Sequence, residues 1–172
     1  ANAGEFNLKN YKGVIANCEK MLRIAPRDSA VAVTAWSMMG DVYHLMNDTP
    51  KAYKAYDNVL KIAPGYAPVL NNYAYYLSEE GKKLKKAYTM SKKTVEAEPD
   101  NATYLDTFGW ILYLQGKALE AKPFFKHAML YGGKDSATIL NHYAAVLEAL
   151  GENDLAKVYR QQAKNKAAEG QE

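Results

Sequence analysis

The chain has few of the residues on which disulfides, metal centres and charge-driven interfaces depend. Its 172 residues include one cysteine, Cys18, which excludes an internal disulfide and a zinc site built from several cysteines. The 22 basic and 19 acidic residues nearly balance, and the formal net charge of +3 is too small to indicate nucleic acid or an anionic membrane. No apolar run approaches the roughly 20 residues needed to span a bilayer. We therefore expect no nucleic-acid ligand and no direct membrane contact from this segment.

The polar residues show no spacing typical of catalysis or metal binding. His44, His127 and His142 are far apart in the sequence, and neither a Ser-His-Asp order nor a nucleophile elbow is visible. The run from Gly132 to Ser136 lacks the length of a phosphate-binding loop and follows a helical pattern rather than a strand, so we interpret it as a helix stop followed by a cap. The sequence thus predicts a protein that is not an enzyme and that has no cofactor or metal.

What the chain does contain is a recurring pattern of large and small residues. Its template is the stretch 36–64, where residues at helical spacing form one apolar face before and after a break at 47–50. The small position of the first helix recurs about every 34 residues, as Gly40, Ala74, Gly109 and Ala144. The template positions are Trp36, Met39, Gly40, Tyr43, Ala52, Tyr56 and Pro64.

These positions resemble the tetratricopeptide repeat, whose signature is W-x2-L-G-x2-Y, then A-x3-F, then P. The resemblance implies an all-α fold, a right-handed superhelical solenoid of antiparallel helix pairs with about four and a half repeats and a polar C-terminal cap. It covers the chain as one domain, 1–168, and leaves no room for a catalytic domain. The implied boundaries are a partial repeat at 1–28, repeats at 29–66, 67–101, 102–136 and 137–168, and a frayed tail at 169–172.

The ends of the pattern carry further expectations. Residues 1–26 match the second half of a repeat, which leaves only residues 1–8 for a first helix and suggests a piece of a longer protein. Cys18 then occupies a core position as a small apolar residue. Four extra residues before Trp36 predict a helix at 30–46 that is longer than its counterparts, and Arg160 at an aromatic position predicts a polar capping helix at 152–167.

In this family the first helix of each pair lines a concave groove, and the groove-facing positions can be carried over residue by residue. Trp110 lies five residues after the core position that Trp36 occupies in its own repeat, which places a large aromatic side chain on the groove face. The alternative is that Trp110 packs against the neighbouring first helix. The candidates for a peptide-binding groove are Asp41, His44, Asn71, Tyr75, Asp106, Trp110, Tyr113, Asn141 and Glu148.

The composition of this face indicates the kind of partner. Asn71 and Asn141 can pair with a peptide backbone without reading its sequence. Acidic residues on the same face, and the absence of the lysine and asparagine set with which some members clamp a terminal carboxylate, favour a basic or neutral segment with an apolar anchor. The leading interpretation is a non-enzymatic protein-protein interaction scaffold. A self-assembly or bracing module of a larger chain, and a pentatricopeptide-like RNA binder, are the alternatives.

Two further expectations concern a basic surface of the chain and its location in the cell. Six lysines around the turn after residue 81 form a basic cluster that is either a solvated outer face or a site for an acidic partner. The run 99–121 resembles bacterial repeat proteins, often lipoproteins of the cell envelope, which implies the bacterial periplasm or cell envelope, with the cytoplasm as the alternative. The six lysines are Lys82, Lys83, Lys85, Lys86, Lys92 and Lys93.

Overall fold

A computed structural model describes residues 3–170, and over that range the chain is built from nine α-helices and one short 3-10 helix, with no strand. The all-α fold expected from the repeat pattern is confirmed. The helices are α1 (Ala3–Ile24), α2 (Ser29–Leu45), α3 (Thr49–Ile62), α4 (Ala67–Glu80), α5 (Leu84–Ala97), α6 (Ala102–Leu114), α7 (Ala118–Leu130), α8 (Ala137–Ala149) and α9 (Asn153–Glu169), with the 3-10 turn at Gly133–Asp135 between α7 and α8.

Side-chain caps determine where several helices begin. Asp28 accepts a hydrogen bond from the Val31 amide at 3.1 Å and starts α2, as its sequence predicts. Asn101 starts α6 in the same way, and Ser136 starts α8 after the left-handed Gly132 has ended the preceding helix. The run from Gly132 to Ser136 is therefore a helix stop followed by a cap.

The small residues of the repeat allow two helices to approach closely. A Cβ atom added to Gly109 of α6 would lie 2.7 Å from Cε2 of Phe125 in α7, inside van der Waals contact. Gly40 of α2 meets the ring of Tyr56 in α3 in the same way. The repeat signature thus encodes the contact between the two helices of a pair, because an aromatic ring fills the space that a side chain would take.

The backbone forms two compact units, one ending at Val69 and the other beginning at Leu70, so the division falls in the first turn of α4. In the first unit a core around Cys18, Ala35, Met39 and Ala55 joins α1, α2 and α3, with Trp36 packed against it. In the second unit a larger core joins α6 to α9. The single-domain interpretation, 1–168, and its repeat boundaries stay predictions.

The helix lengths match some expectations and correct one. At 17 residues, α2 is longer than α4, which has 14, as the extra turn before Trp36 predicts. Among the described residues, 3–8 do not form a helix of their own, because α1 continues without a break to Ile24. No proline or glycine pair interrupts the sequence there, and Gly13 alone does not end the helix. Within residues 3–170, no helix is both long and apolar enough to cross a membrane.

Candidate functional site

Five of the nine predicted groove residues come together in the second unit. They lie on α4 and α6, the first helices of two successive repeats, and a cleft that α8 also lines opens between the N-terminal halves of these helices. The family register places their side chains at the second, fifth, ninth and twelfth positions of each repeat, which share one helical face. These five are Asn71, Tyr75, Asp106, Trp110 and Tyr113.

Four rings form what we call the aromatic array: Tyr75, Trp110, Tyr113 and His142. The Trp110 ring stacks on His142 of α8, with centroids 3.9 Å apart and an interplanar angle of 18°. It also stacks on Tyr113, at 4.8 Å and 25°. Tyr75 of α4 approaches the other side of the array, 6.4 Å from the His142 ring. Trp110 therefore packs against the neighbouring first helix, as the alternative interpretation expects, while it remains partly exposed. Its role in a peptide-binding groove stays a prediction.

A hydrogen-bonded pair holds this array in place. The Nδ1 atom of His142 lies 2.7 Å from Oδ1 of Asp106, and the two side chains are only 14% and 8% exposed. With the Asp106 carboxylate as acceptor, Nδ1 of His142 carries the proton, and this bond fixes the plane of the imidazole. Asp106 thus orients His142, and His142 supplies the surface on which Trp110 stacks.

Beside the aromatic array lies a polar cleft of about 300 Å³. Asn71 is 5% exposed, and its buried amide oxygen has no hydrogen-bond partner among the described residues. A buried amide without a partner is costly, so Asn71 is a group that a bound molecule or water would satisfy. The cleft is lined by Asn71, Asn72, Tyr75, Thr103, Asp106, Thr107, Ser136, Thr138 and Ile139.

The electrostatic surroundings keep Tyr75 protonated at neutral pH and well above it. Burial raises the pKa of its hydroxyl, and a hydrogen bond to Glu79 together with the negative charges of Glu79 and Asp106 raises this pKa further. Tyr75 lines the polar cleft and belongs to the aromatic array. Its hydroxyl proton is donated to Glu79, so the hydroxyl oxygen is available as a hydrogen-bond acceptor where the two features meet.

Asn141 and Glu148 are engaged by the last helix. Arg160 of α9 donates to Glu148 Oε1 from Nε at 2.8 Å and to Asn141 Oδ1 from Nη1 at 3.2 Å. The same arginine that marks α9 as a polar cap therefore covers these two predicted groove residues. Its charge also offsets that of Glu148.

The remaining two candidates, Asp41 and His44, lie on α2 in the first unit. Asp41 accepts a 2.5 Å hydrogen bond from the hydroxyl of Tyr56, the residue that packs on Gly40. This bond joins α2 to α3, so Asp41 also contributes to the pairing of the two helices. His44 is half-buried near the end of α2.

Comparison with known proteins identifies the family. The sequence profile of the Tetratricopeptide repeat family matches residues 8–169. The chain belongs to this family. Tetratricopeptide repeats typically mediate protein-protein interactions. No curated protein matches the chain significantly.

Solved structures of tetratricopeptide repeat proteins share the fold at low sequence identity. PilF of Pseudomonas aeruginosa is 20% identical, with a TM-score of 0.77 over 95% of this chain and 72% of its own. PilW, a type IV pilus biogenesis factor, is 18% identical, with a TM-score of 0.76 over 96% and 80% of the two chains. YrrB, a tetratricopeptide repeat protein with an unusual peptide-binding site, is 15% identical, with a TM-score of 0.68 over 87% and 74%. At these identities the likeness establishes the fold alone.

The sequence predicted candidate groove residues but did not predict how their side chains connect. The repeat register did not indicate that His142 of α8 binds Asp106 of α6, because 36 residues separate them in the sequence. It identified Arg160 as a capping residue without predicting that its guanidinium reaches back to α8. Among the described residues, no group of three histidine, cysteine or acidic side chains is placed to hold a metal ion.

Proposed function

We propose that this tetratricopeptide repeat chain is a non-enzymatic scaffold that binds an extended polypeptide segment on the face formed by α4, α6 and α8. The observation that carries the proposal is the direct contact between a polar cleft and an aromatic array, which share Tyr75. An extended peptide needs both features, since its backbone requires hydrogen-bond partners and its side chains supply an anchor. The anchor is an aromatic or large apolar residue that packs on the exposed parts of Trp110 and Tyr113.

The polar cleft suits the backbone of the segment. Asn71 offers an amide that can donate and accept, and the hydroxyl oxygen of Tyr75 can accept. Thr103 and Thr138 are exposed and line the same cleft from α6 and α8. These groups can pair with peptide amides and carbonyls regardless of the side chains that the segment carries.

The polar contacts that the acidic residues of this face already make favour a neutral segment over a basic one. Asp106 is bound to His142, and Glu148 is bound to Arg160, so both carboxylates already have partners within the chain. A partner lysine or arginine would have to compete with these pairs. Of the two predicted kinds of partner, basic or neutral, a neutral segment therefore fits the charges of the site better.

We further propose that the protein acts in the bacterial cell envelope. The support is the run 99–121, which resembles bacterial envelope repeat proteins, and the shared fold with PilW, a type IV pilus biogenesis factor. Detection of the native protein in fractionated cells tests this location.

A random peptide display library panned on the full chain tests the binding site. Peptides selected on the parent protein should carry an aromatic or large apolar residue and should bind Trp110→Ala and Thr103→Arg about tenfold more weakly, measured by fluorescence anisotropy. Thr103→Arg fills the cleft from an exposed position and leaves the core intact. The matched control is Tyr131→Ala. It removes an aromatic side chain that directly follows α7 and is 50% exposed. Peptides that bind all four proteins equally would refute the proposal.

A further inference from the structure

A second surface, on the opposite side of α6, has a different character. By helical spacing Phe108 and Leu112 point away from Asp106 and Trp110. They form the floor of a groove whose walls are α5 and α7, which we call the α5–α7 groove. It consists of two adjoining hollows of about 550 and 320 Å³ that share Val95 and Phe124. No residue that lines these hollows lines the polar cleft.

The floor of the α5–α7 groove is apolar and rigid. Phe108 packs between two rings, with its centroid 5.2 Å from that of Tyr88 on α5 and 4.8 Å from that of Phe124 on α7. Tyr88, Val95 and Phe124 are only half-buried. The groove extends from Tyr88 to Pro99, about three helical turns or roughly 16 Å. That length and width suit a short helix that inserts apolar side chains at intervals of three and four residues.

Lysines are concentrated at one end of the groove. Lys85, Tyr88 and Lys92 share one face of α5, and Lys117 at the start of α7 lies with Nζ 6.0 Å from the Tyr88 ring centroid. Glu96 lines the groove further along α5, towards the acidic C-terminal turn of that helix. Lys85 and Lys117 therefore place two cations at the N-termini of α5 and α7. Further along the groove Lys92 pairs with Glu96 at 4.0 Å, and Glu120 lines the groove from the first turn of α7.

This arrangement is unfavourable for α5, which has no acidic residue in its first turn, whereas Glu120 in the first turn of α7 offsets Lys117. The residues that start α5 and α7 are both lysines, Lys83 and Lys117, and neither makes a side-chain capping bond to the described residues. Cations at a helix N-terminus oppose the helix macrodipole, whereas α2, α6 and α8 begin with Asp28, Asn101 and Ser136. Locally unfavourable residues of this kind are expected at surfaces that serve a function.

We propose that the α5–α7 groove binds an amphipathic helical segment of a partner protein, whose apolar residues fill the two hollows and whose acidic end lies over Lys85 and Lys117. An acidic protein segment fits better than a nucleic acid, because Glu96 and Glu120 on the rim repel a continuous line of phosphates and the floor is apolar. The surface and its ligand are independent of the proposed peptide site on α4, α6 and α8.

Two synthetic helical peptides and two charge-reversed proteins test the proposal. One peptide of about 14 residues carries leucines three and four residues apart and glutamates in one terminal turn, and its twin carries lysines in place of the glutamates. One protein is Lys85→Glu/Lys117→Glu. The control is Lys93→Glu/Lys126→Glu, which makes the same charge change on exposed positions of the same helices that face away from the groove.

The parent protein should bind the acidic peptide about tenfold more tightly than the basic twin in anisotropy titrations at low salt. Lys85→Glu/Lys117→Glu should reverse this preference, while the control and Trp110→Ala should keep it. Equal affinity for the two peptides, or the same loss in the control, would overturn the proposal. Displacement of the acidic peptide by an oligonucleotide at equal concentration would indicate a nucleic-acid surface instead. Loss of binding in Trp110→Ala would place the peptide at the other site.

Discussion

His142 and Asp106 lie 36 residues apart in the sequence and meet through Nδ1 and Oδ1 at 2.7 Å. The pair joins α8 to α6 in a place where both side chains are largely buried. This buried pair also affects the protein surface, because Trp110 stacks on the imidazole that Asp106 orients. The exposed aromatic surface therefore depends on a buried carboxylate.

Asp106→Ala should lower the free energy of unfolding and disturb the environment of Trp110. The substitution leaves Nδ1 of His142 without its acceptor, which costs about 1 to 3 kcal/mol for a buried polar group. Urea denaturation measures the loss, and near-ultraviolet circular dichroism reports the tryptophan environment. Asp135→Ala is the control, because that side chain is 82% exposed and its 3.7 Å ion pair with Lys166 should contribute little. Equal effects of the two substitutions would contradict the role given to Asp106.

Gly109→Ala should destabilise the protein by overpacking the contact between α6 and α7. The new methyl group would lie 2.7 Å from the Phe125 ring, and Phe125 is fully buried, so the ring has little room to move. The expected loss in denaturant unfolding is about 1 to 3 kcal/mol.

Two further variants separate overpacking from the backbone effect of replacing glycine. Gly13→Ala in α1, where an added Cβ meets no described atom within 4 Å, should instead stabilise the helix by about 0.5 to 1 kcal/mol. Adding Phe125→Leu to Gly109→Ala should recover part of the loss, since the smaller side chain leaves room for the methyl group. If the two substitutions are strictly additive, Phe125 is not the cause.

The parts of the fold that follow from short-range spacing were predictable from the sequence. The pairing of a small residue with a ring one helix later, as in Gly40 with Tyr56, depends on helical periodicity and a short loop. The same register predicts that Trp110 shares one helical face with Asp106 and Tyr113. The side-chain pairs of the site could not be predicted in this way. A pair between two repeats depends on how the helices of those repeats stack, and not on the spacing of residues within one repeat.

Contacts made by long side chains were not predictable from the sequence. Arg160 occupies a position held by aromatic core residues in other repeats, and its polarity indicated a cap. Only the structure shows that its long side chain returns to Glu148 and Asn141. Trp36 was expected at a core position, and the structure shows it half-buried against the core of the first unit.

Cys18 should resist thiol reagents in the folded protein. Its side chain is fully buried, and burial, followed by the negative charge of Glu19, raises the pKa of the thiol above its ordinary value. The reactive thiolate is therefore both scarce and inaccessible at neutral pH. Labelling with a chromogenic disulfide reagent should be slow in buffer and rapid in denaturant. Fast labelling of the native chain would show that α1 opens readily from α2.

Raising the pH above about 10 should destabilise the fold through Tyr143. Its ring stacks on Phe125 at 5.8 Å, and burial, then the charges of Tyr159 and Glu152, raise its pKa to about 12. The ordinary tyrosine pKa in the unfolded chain is about 10, so between about 10 and 12 the unfolded state loses a proton that the folded state keeps. This contribution to stability is complete below pH 10 and is lost as the pH rises through that range.

Tyr143→Phe isolates the effect, because it keeps the stacked ring and removes the ionisable hydroxyl. Below pH 10 the difference in unfolding free energy between the parent and this variant should be constant. Above pH 10 the parent should lose stability more steeply than the variant, which urea denaturation at a series of pH values measures. Parallel curves for the two proteins up to about pH 12 would mean that the folded state does not hold the Tyr143 proton more tightly than the unfolded chain does.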